Sequence, residues 1–107
     1  MITRIVKMHF RADEIESFLA TFEKQKEFIA GFEGCSHLEL LQDKNDNCHF
    51  FTYSHWKDES YLELYRKSDF FRGIWSVVKL KFDKKPEAWS LISPQYSVAV
   101  GSFQTEN

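Results

Sequence analysis

The chain has 107 residues, the length of one domain, and a formal net charge of −2 that excludes the basic surface typical of nucleic-acid binding. No apolar run approaches the roughly 20 residues that cross a bilayer, and the first residues have no signal-peptide pattern. The two cysteines, Cys35 and Cys48, do not form the framework of a secreted disulfide-bonded domain. We therefore expect one cytoplasmic domain with reduced thiols, a core over about residues 2–92 and a C-terminal extension over 93–107, with neither nucleic acid nor membrane as a partner.

The first predicted element is a strand over residues 2–10. One parity of this strand is apolar at Ile2, Val6, Met8 and Phe10, whereas Thr3, Lys7 and His9 take the other parity. Arg4 lies among the apolar set, so we expect it near the strand end, where its guanidinium can reach water or a ligand anion.

A helix is predicted next, over residues 13–30, from apolar residues that recur at helical spacing. Asp13 and Glu16 have the spacing of a capping box at its start. Gly31 and Gly34 follow its last apolar residue, and glycine tolerates the positive φ common at helix ends.

Two strands over residues 35–42 and 47–56 then flank a run of turn-forming residues at 43–47, which predicts a hairpin whose register the sequence leaves open. Asp58 is expected to cap a helix, and Ser68 or Asp69 to cap either a second helix or the second half of a broken one. A short strand over residues 88–92 follows, and residues 96–100 are a candidate for a last extended segment.

This order of elements predicts an α+β, ferredoxin-like fold, in which a split β-α-β antiparallel sheet carries helices on one face. The other face is left to water unless a second subunit covers it. Eleven Phe, four Tyr and three Trp exceed the needs of one small core. The surplus indicates a subunit contact, a ligand pocket or both, and the alternative is an aromatic-rich core.

Several chemistries lack their motifs. The chain contains no glycine-rich dinucleotide or phosphate loop and no nucleophile elbow, so we expect no tightly bound flavin or nicotinamide. The four histidines, at positions 9, 37, 49 and 55, lie on predicted strands without zinc-site spacing, so no metal is expected. They are candidates for a proton acceptor or for cross-strand hydrogen bonds. Cys35 and Cys48 are expected to be small buried residues rather than nucleophiles.

An aromatic cleft is predicted between the later helices and the sheet. Its walls are expected to be formed by side chains that face the space between the helices and the sheet: Tyr65, Trp75, Trp56, Phe71, Val6 and Met8. Arg4, Lys7 or His9 would supply the few polar groups that such sites contain. The alternative is a fully packed core without a cleft.

Four short segments together resemble the antibiotic biosynthesis monooxygenase superfamily, whose members are dimeric α+β barrels. They are Gly-Phe-Glu-Gly at 31–34, Ser-His-Trp-Lys at 54–57, Lys-Ser-Asp-Phe-Phe at 67–71 and Lys-Pro-Glu-Ala-Trp at 85–89. The resemblance implies a homodimer with its two sheets face to face and a pocket under the helices of each subunit. It also implies a cofactor-independent oxygenation of phenols or quinols, in which the protein favours the deprotonated substrate and excludes water.

On this basis we expect a cofactor-independent monooxygenase that acts on an aromatic or quinol-like small molecule. His9 or Lys7 would assist deprotonation, Arg4 would stabilise the resulting anion, and the aromatic residues would shape the cleft. The alternatives are a small-ligand-binding or stress-response protein without catalysis and a structural subunit of a larger assembly. The haem-degrading branch is disfavoured. Its pattern has an Asn on the first strand and a Trp and a His on the later helices, whereas this first strand has no Asn and the matching helix positions hold Tyr65 and Trp75, neither of which is a histidine.

Overall fold

The computed structural model describes residues 1–95, which form a four-stranded antiparallel sheet in the order β2-β3-β1-β4. The strands are β1 (Ile2–His9), β2 (Cys35–Asp43), β3 (Asp46–Trp56) and β4 (Glu87–Leu91). The helices are α1 (Ile15–Ala30), α2 (Glu59–Lys67) and α3 (Asp69–Val78), with 3-10 turns at Ala12–Glu14 and Lys79–Lys81. The predicted ferredoxin-like α+β fold is confirmed. The candidate extended segment at 96–100 lies outside the described residues.

The start of α1 differs from the prediction. A 3-10 turn closes first, with the amide of Glu14 donating to the carbonyl of Arg11 at 2.9 Å, so that α1 begins after Asp13 instead of at it. The Asp13 carboxylate is 84% exposed and lies 3.9 Å from Arg11 Nε, and α1 has no side-chain cap. The predicted capping box is therefore wrong, because Asp13 sits inside the turn.

Glycine is required at one position after α1. Gly31 ends the helix with φ −83°, a value open to any residue. Gly34 has φ +88°, and a Cβ there would lie 2.4 Å from the Tyr61 side chain. The backbone of this loop thus passes directly under the start of α2.

The hairpin between β2 and β3 is confirmed, with a tighter turn than expected. Only residues 44 and 45 connect the strands, and the Asn45 amide donates to Asp43 Oδ1 at 2.7 Å. Leu40 pairs with Thr52 and Leu41 with Phe51, and the register shifts between Gln42 and Asp43. This register settles which side chains of β3 point toward the helices.

The two later helices are capped as the sequence indicates. The Asp58 carboxylate accepts from the amides of Ser60 (2.9 Å) and Tyr61 (3.4 Å). Ser68 is the cap of α3, since its Oγ accepts from the Phe71 amide at 3.1 Å and its ψ of 150° breaks the helical path. The chain therefore forms two helices, α2 and α3, that meet at Ser68.

The two faces of the sheet differ. On the helix-covered face, Met8 of β1, Phe10 just after β1 and Phe50 of β3 form a core with Phe18 of α1 and Val78 of α3. The second face, called here the open face, carries the residues of opposite parity, among them Ile5, Phe51 and Tyr53.

The open face is apolar for a surface that faces solvent. Leu41, Trp89 and Leu91 on it are 43%, 40% and 46% exposed. An exposed patch of several large apolar side chains marks an interaction site.

Among the described helices, none is both long and apolar enough to cross a membrane.

Candidate active site

A cavity of about 290 Å³ lies between the helix-covered face of the sheet and the three helices. All residues predicted to bind a ligand line this cavity: Arg4, Val6, Met8, Trp56, Tyr65, Phe71 and Trp75. The two residues predicted to be catalytic, His9 and Lys7, do not line it. The cleft is therefore open, and the alternative of a fully packed core does not apply.

One wall of the cavity is a continuous row of rings. Trp56 and Tyr65 stack with centroids 5.0 Å apart at 25°, and Tyr65 meets Phe71 edge-on at 5.0 Å. Phe71 and Trp75 stack at 5.9 Å and 12°, because residues four apart on α3 share one face. The break at Ser68 lets this row continue from α2 to α3.

Trp56 anchors this wall. Its side chain is 1% exposed, and its Nε1–H donates to Ser54 Oγ at 3.0 Å, so the only polar atom of the indole is satisfied inside the protein. Such a pair fixes the ring without a water molecule. The ring row thus rests on a rigid strand end.

The Tyr65 phenol is the one titratable group of the ring row. Burial raises the pKa of Tyr65 above its ordinary value. The phenol therefore stays protonated at neutral pH and can donate a hydrogen bond to a ligand oxygen.

Two arginines supply the positive charge at the cavity. Arg4 Nη1 donates to Ser90 Oγ on β4 at 3.0 Å, and Arg66 Nη1 lies 2.7 Å from Glu63 Oε1. Burial, and then the positive charge of Arg66, lower the pKa of Arg4, while Glu63 acts in the opposite direction.

The predicted catalytic residues do not lie with the cavity. Their parity on β1 is opposite to that of Arg4, Val6 and Met8, so their side chains leave the sheet on the open face. Lys7 Nζ lies 4.0 Å from Glu87. The expectation that His9 or Lys7 assists deprotonation in the cleft therefore disagrees with their placement.

The His9 side chain is held between two carboxylates. Its Nδ1 lies 2.5 Å from Asp83 Oδ1 and its Nε2 lies 2.9 Å from Asp46 Oδ2, and the side chain is 13% exposed. These hydrogen bonds, first to Asp83 and then to Asp46, raise the pKa of His9. The imidazole ring thus joins the end of β1 to the start of β3 and to the segment before β4.

The other histidines share the open face. His37 and His55 have ring centroids 5.2 Å apart, and His49 Nδ1 lies 3.4 Å from Asp43. In residues 1–95 no group of three or more His, Cys, Asp or Glu side chains is placed to hold a metal ion. Burial raises the pKa of the Cys35 thiol, which opposes a nucleophilic role.

Some lining residues were missed as site residues. Phe18, Phe22 and Ile29 belong to the apolar stripe of α1, so helical periodicity alone places them on the sheet side. Arg66 was missed because the pattern of an amphipathic helix predicts that a charged residue lies on its solvent-exposed face. Arg66 nevertheless lines the cavity, while its side chain as a whole stays 44% exposed.

The fold and the cavity define a ferredoxin-like α+β protein with a ring-lined cavity beneath its helices. The family model for antibiotic biosynthesis monooxygenase matches residues 1–74, and the chain belongs to this family. No curated protein matches the chain significantly.

Solved structures show the same fold. A crystal structure of an antibiotic biosynthesis monooxygenase is 16% identical with a TM-score of 0.82, over 87% of this chain and 98% of that one. A conserved protein from Methanosarcina mazei Go1 is 23% identical with a TM-score of 0.80, over 85% and 91%. The cofactor-independent oxygenase SnoaB from Streptomyces nogalater, crystallised as a mutant, is 14% identical with a TM-score of 0.77, over 88% and 93%.

Proposed function

We propose that the protein is a cofactor-independent monooxygenase that oxidises an aromatic or quinol-like small molecule in the cavity beneath its helices. The observation that carries the proposal is the ring row of Trp56, Tyr65, Phe71 and Trp75 along one cavity wall, in a chain of this family. Such a wall binds a flat ring by stacking and edge contacts, and it excludes water from the reacting carbon.

The reaction needs an electron-rich substrate anion. Arg4 and Arg66 favour the ionised form of a ring hydroxyl or of an acidic ring CH₂, because a nearby positive charge lowers the pKa of such a group. The Tyr65 phenol is a further hydrogen-bond donor among the residues that line the cavity. Since His9 and Lys7 lie on the open face, the proton leaves through the mouth of the cavity to solvent.

The atoms balance without a further reductant. The substrate carbanion gives one electron to O₂, and the two radicals combine to a peroxide anion. This anion takes up a proton from solvent to become a hydroperoxide, which loses water to leave a carbonyl. One oxygen atom enters the substrate and the other leaves as water. A ring CH₂ thereby becomes C=O, and all four electrons come from that carbon.

We propose that a second copy of the chain covers the open face. Leu41, Trp89 and Leu91 would then be buried, and a stable interface of this kind removes on the order of 1,600 Å² in total. Sedimentation at micromolar concentration should report twice the chain mass. A monomer would contradict this assembly.

The oxygenase proposal is tested with metal-free protein, an anthrone or a hydroquinone, and an oxygen electrode. Turnover should exceed the uncatalysed rate, and ¹⁸O₂ should label the product carbonyl formed from a ring CH₂. Trp75→Ala should lower the rate, whereas Leu64→Ala should not, since Leu64 is 67% exposed and lies outside the cavity. Binding of the compounds with no oxygen uptake above background would favour the non-catalytic binder.

A further inference from the structure

The histidines of the open face form two cross-strand pairs, one toward each end of the strands. His37 of β2 lies opposite His55 of β3, with ring centroids 5.2 Å apart. His9 of β1 lies opposite His49 of β3, with ring centroids 5.6 Å apart. An imidazole gains its charge between about pH 8 and pH 5, and like charges opposite each other on neighbouring strands repel. Acid therefore changes the charge of this face at both ends.

The His9 pair is surrounded by carboxylates. His9 contacts Asp83 and Asp46 through its two ring nitrogens, and His49 Nδ1 lies 3.4 Å from Asp43 Oδ2. Three carboxylates thus accompany two imidazoles at this end. Protonation of both rings leaves no excess of positive charge here.

The His37 pair has fewer counter-charges. His37 Nε2 lies 3.1 Å from Glu39 Oε1, whereas His55 Nε2 lies 3.0 Å from the Tyr53 hydroxyl. Among residues 1–95, Glu39 is the one carboxylate in contact with either ring. Cys35 Sγ donates to the His37 carbonyl at 3.6 Å, and burial raises the pKa of this thiol, so it adds no negative charge. Protonation of both rings therefore leaves one positive charge unbalanced.

The other neighbours of His55 do not offset this charge. The row of side chains across the sheet continues from His55 to Thr3 of β1 and Leu91 of β4, both of which are uncharged. The Lys57 ammonium, two residues beyond His55, lies 5.7 Å from the centroid of the Tyr61 ring. This end of the open face thus places an exposed apolar side chain beside an imidazole pair that acid makes positive.

We infer that a fall in pH releases the second copy of the chain from the open face, with His37 and His55 as the groups that take up the protons. The inference rests on the proposed assembly of two copies, because the electrostatic cost arises only when the face is covered. Removing an unbalanced charge from water is unfavourable, and a two-fold interface contains the pair twice. The neutral rings fit a covered face, since each has a hydrogen-bond partner in its own chain.

Proton linkage gives the sign of the effect. In the free chain the His37 side chain is 44% exposed and takes up protons from solvent. A covered face excludes these protons, so association releases them and weakens as the pH falls. One proton excluded per chain is two per dimer, which raises the dissociation constant of the dimer about a hundredfold per pH unit in the acid range.

Sedimentation of the full chain at pH 8 and at pH 5, at constant ionic strength, tests the inference. We expect a dimer at pH 8 and a folded monomer at pH 5, with the dissociation constant raised at least about a hundredfold and the circular dichroism unchanged. The double variant His37→Gln/His55→Gln should remain dimeric at pH 5, because glutamine keeps hydrogen-bonding groups and gains no charge. Glu39→Gln should shift dissociation to higher pH, since it removes the single counter-charge.

Two further variants separate the two histidine pairs. His55→Gln alone leaves one imidazole beside one carboxylate, so the rise of the dissociation constant should shrink by about tenfold or more. This single variant decides the result if the double variant folds poorly. His49→Gln is the matched control, because it removes a histidine of the same strand and the same face from the other pair. The control should dissociate in acid like the native protein.

The inference is overturned by a dissociation constant that is equal at pH 8 and pH 5, by unfolding at pH 5 in place of a folded monomer, or by acid dissociation that persists in both His55 variants. A chain that is monomeric at pH 8 would contradict the proposed assembly as well. None of these readouts uses oxygen or an aromatic compound, so failure of the oxygenase proposal leaves the inference standing.

Discussion

Trp56 at the end of β3 and Tyr65 in the last turn of α2 stack at 5.0 Å, and this pair joins the sheet to the helix that roofs the cavity. The same tyrosine meets Phe71 across the break at Ser68. One side chain thus couples the strand, both later helices and the cavity wall. The stability of the fold and the shape of the site depend on the same ring.

Two substitutions of Tyr65 should therefore separate the contribution of ring packing from that of the phenol hydrogen bond. Tyr65→Ala removes the ring and should destabilise the protein by about 3 kcal/mol, in the range for buried aromatic truncations. Tyr65→Phe keeps the stack and should cost under about 1 kcal/mol, while weakening ligands that accept a hydrogen bond from the phenol. Urea unfolding and calorimetry check both. Equal stability losses in the two variants would show that the phenol, and not the ring, holds α2 in place.

Gly34 and Gly73 form a matched pair for backbone strain. Gly34→Ala should destabilise by at least about 2 kcal/mol, because φ is +88° and the added Cβ would lie 2.4 Å from Tyr61. Gly73→Ala should stabilise by about 0.5–1 kcal/mol, since Gly73 is inside α3 and nothing lies within 4 Å of its added Cβ. Thermal unfolding gives both signs. A neutral Gly34→Ala would contradict the close approach of this loop to α2.

His9 should make stability depend on pH with a definite sign. Its folded-state pKa is raised from 6.5, so its contribution is fully present below 6.5 and is lost as the pH rises through the folded value. The pKa of Asp46 is lowered from 3.8, first by the Cys48 amide and then by His9, so its contribution is present above 3.8 and is lost as the pH falls through its folded value.

The stability lost in His9→Gln should therefore be largest between pH 3.8 and 6.5 and should decline at higher pH. Urea titrations at several pH values measure it, with the exposed Asp13→Asn as the control. A loss that grows above pH 8 would contradict the assigned ion pairs.

The same variant tests the location of His9. Because the imidazole is on the open face, His9→Gln should leave anthrone affinity and oxygen uptake unchanged, as should Lys7→Gln. Both are measured at a pH where the variants are folded. Lost turnover with retained binding would restore the catalytic role that the sequence suggested.

A charge on the open face should disrupt the proposed dimer. Trp89→Asp places a carboxylate on a surface that two sheets would bury, and an uncompensated charge there opposes association. The variant should sediment as a monomer, while Leu64→Asp on the helix side should sediment like the native protein. Identical behaviour of both variants would place the subunit contact elsewhere.

The sequence allowed prediction of features that depend on local patterns. Asp58 and Ser68 are good caps followed by helical spacing, and both act as caps here. The cavity wall followed from the spacing of Tyr65, Phe71 and Trp75. Asp13 failed because the competing 3-10 turn depends on the chain direction after β1, which local capping preferences do not contain.

The polar residues of the site were harder to predict. Strand alternation already separates His9 and Lys7 from Val6 and Met8. That signal was available in the sequence, but the suitability of the two side chains as bases was given more weight than their position on the strand. Arg66 had no such signal, because whether an exposed helix residue borders a cavity depends on how far the helix stands from the sheet.

A crystal structure of the protein with an anthrone tests the central claim most directly. We predict a fused ring system within about 4 Å of Tyr65 and Trp75, with its oxygen directed at Arg4 and Arg66. A ligand bound on the open face, or a cavity filled by the protein's own side chains with no ligand in it, would contradict the account.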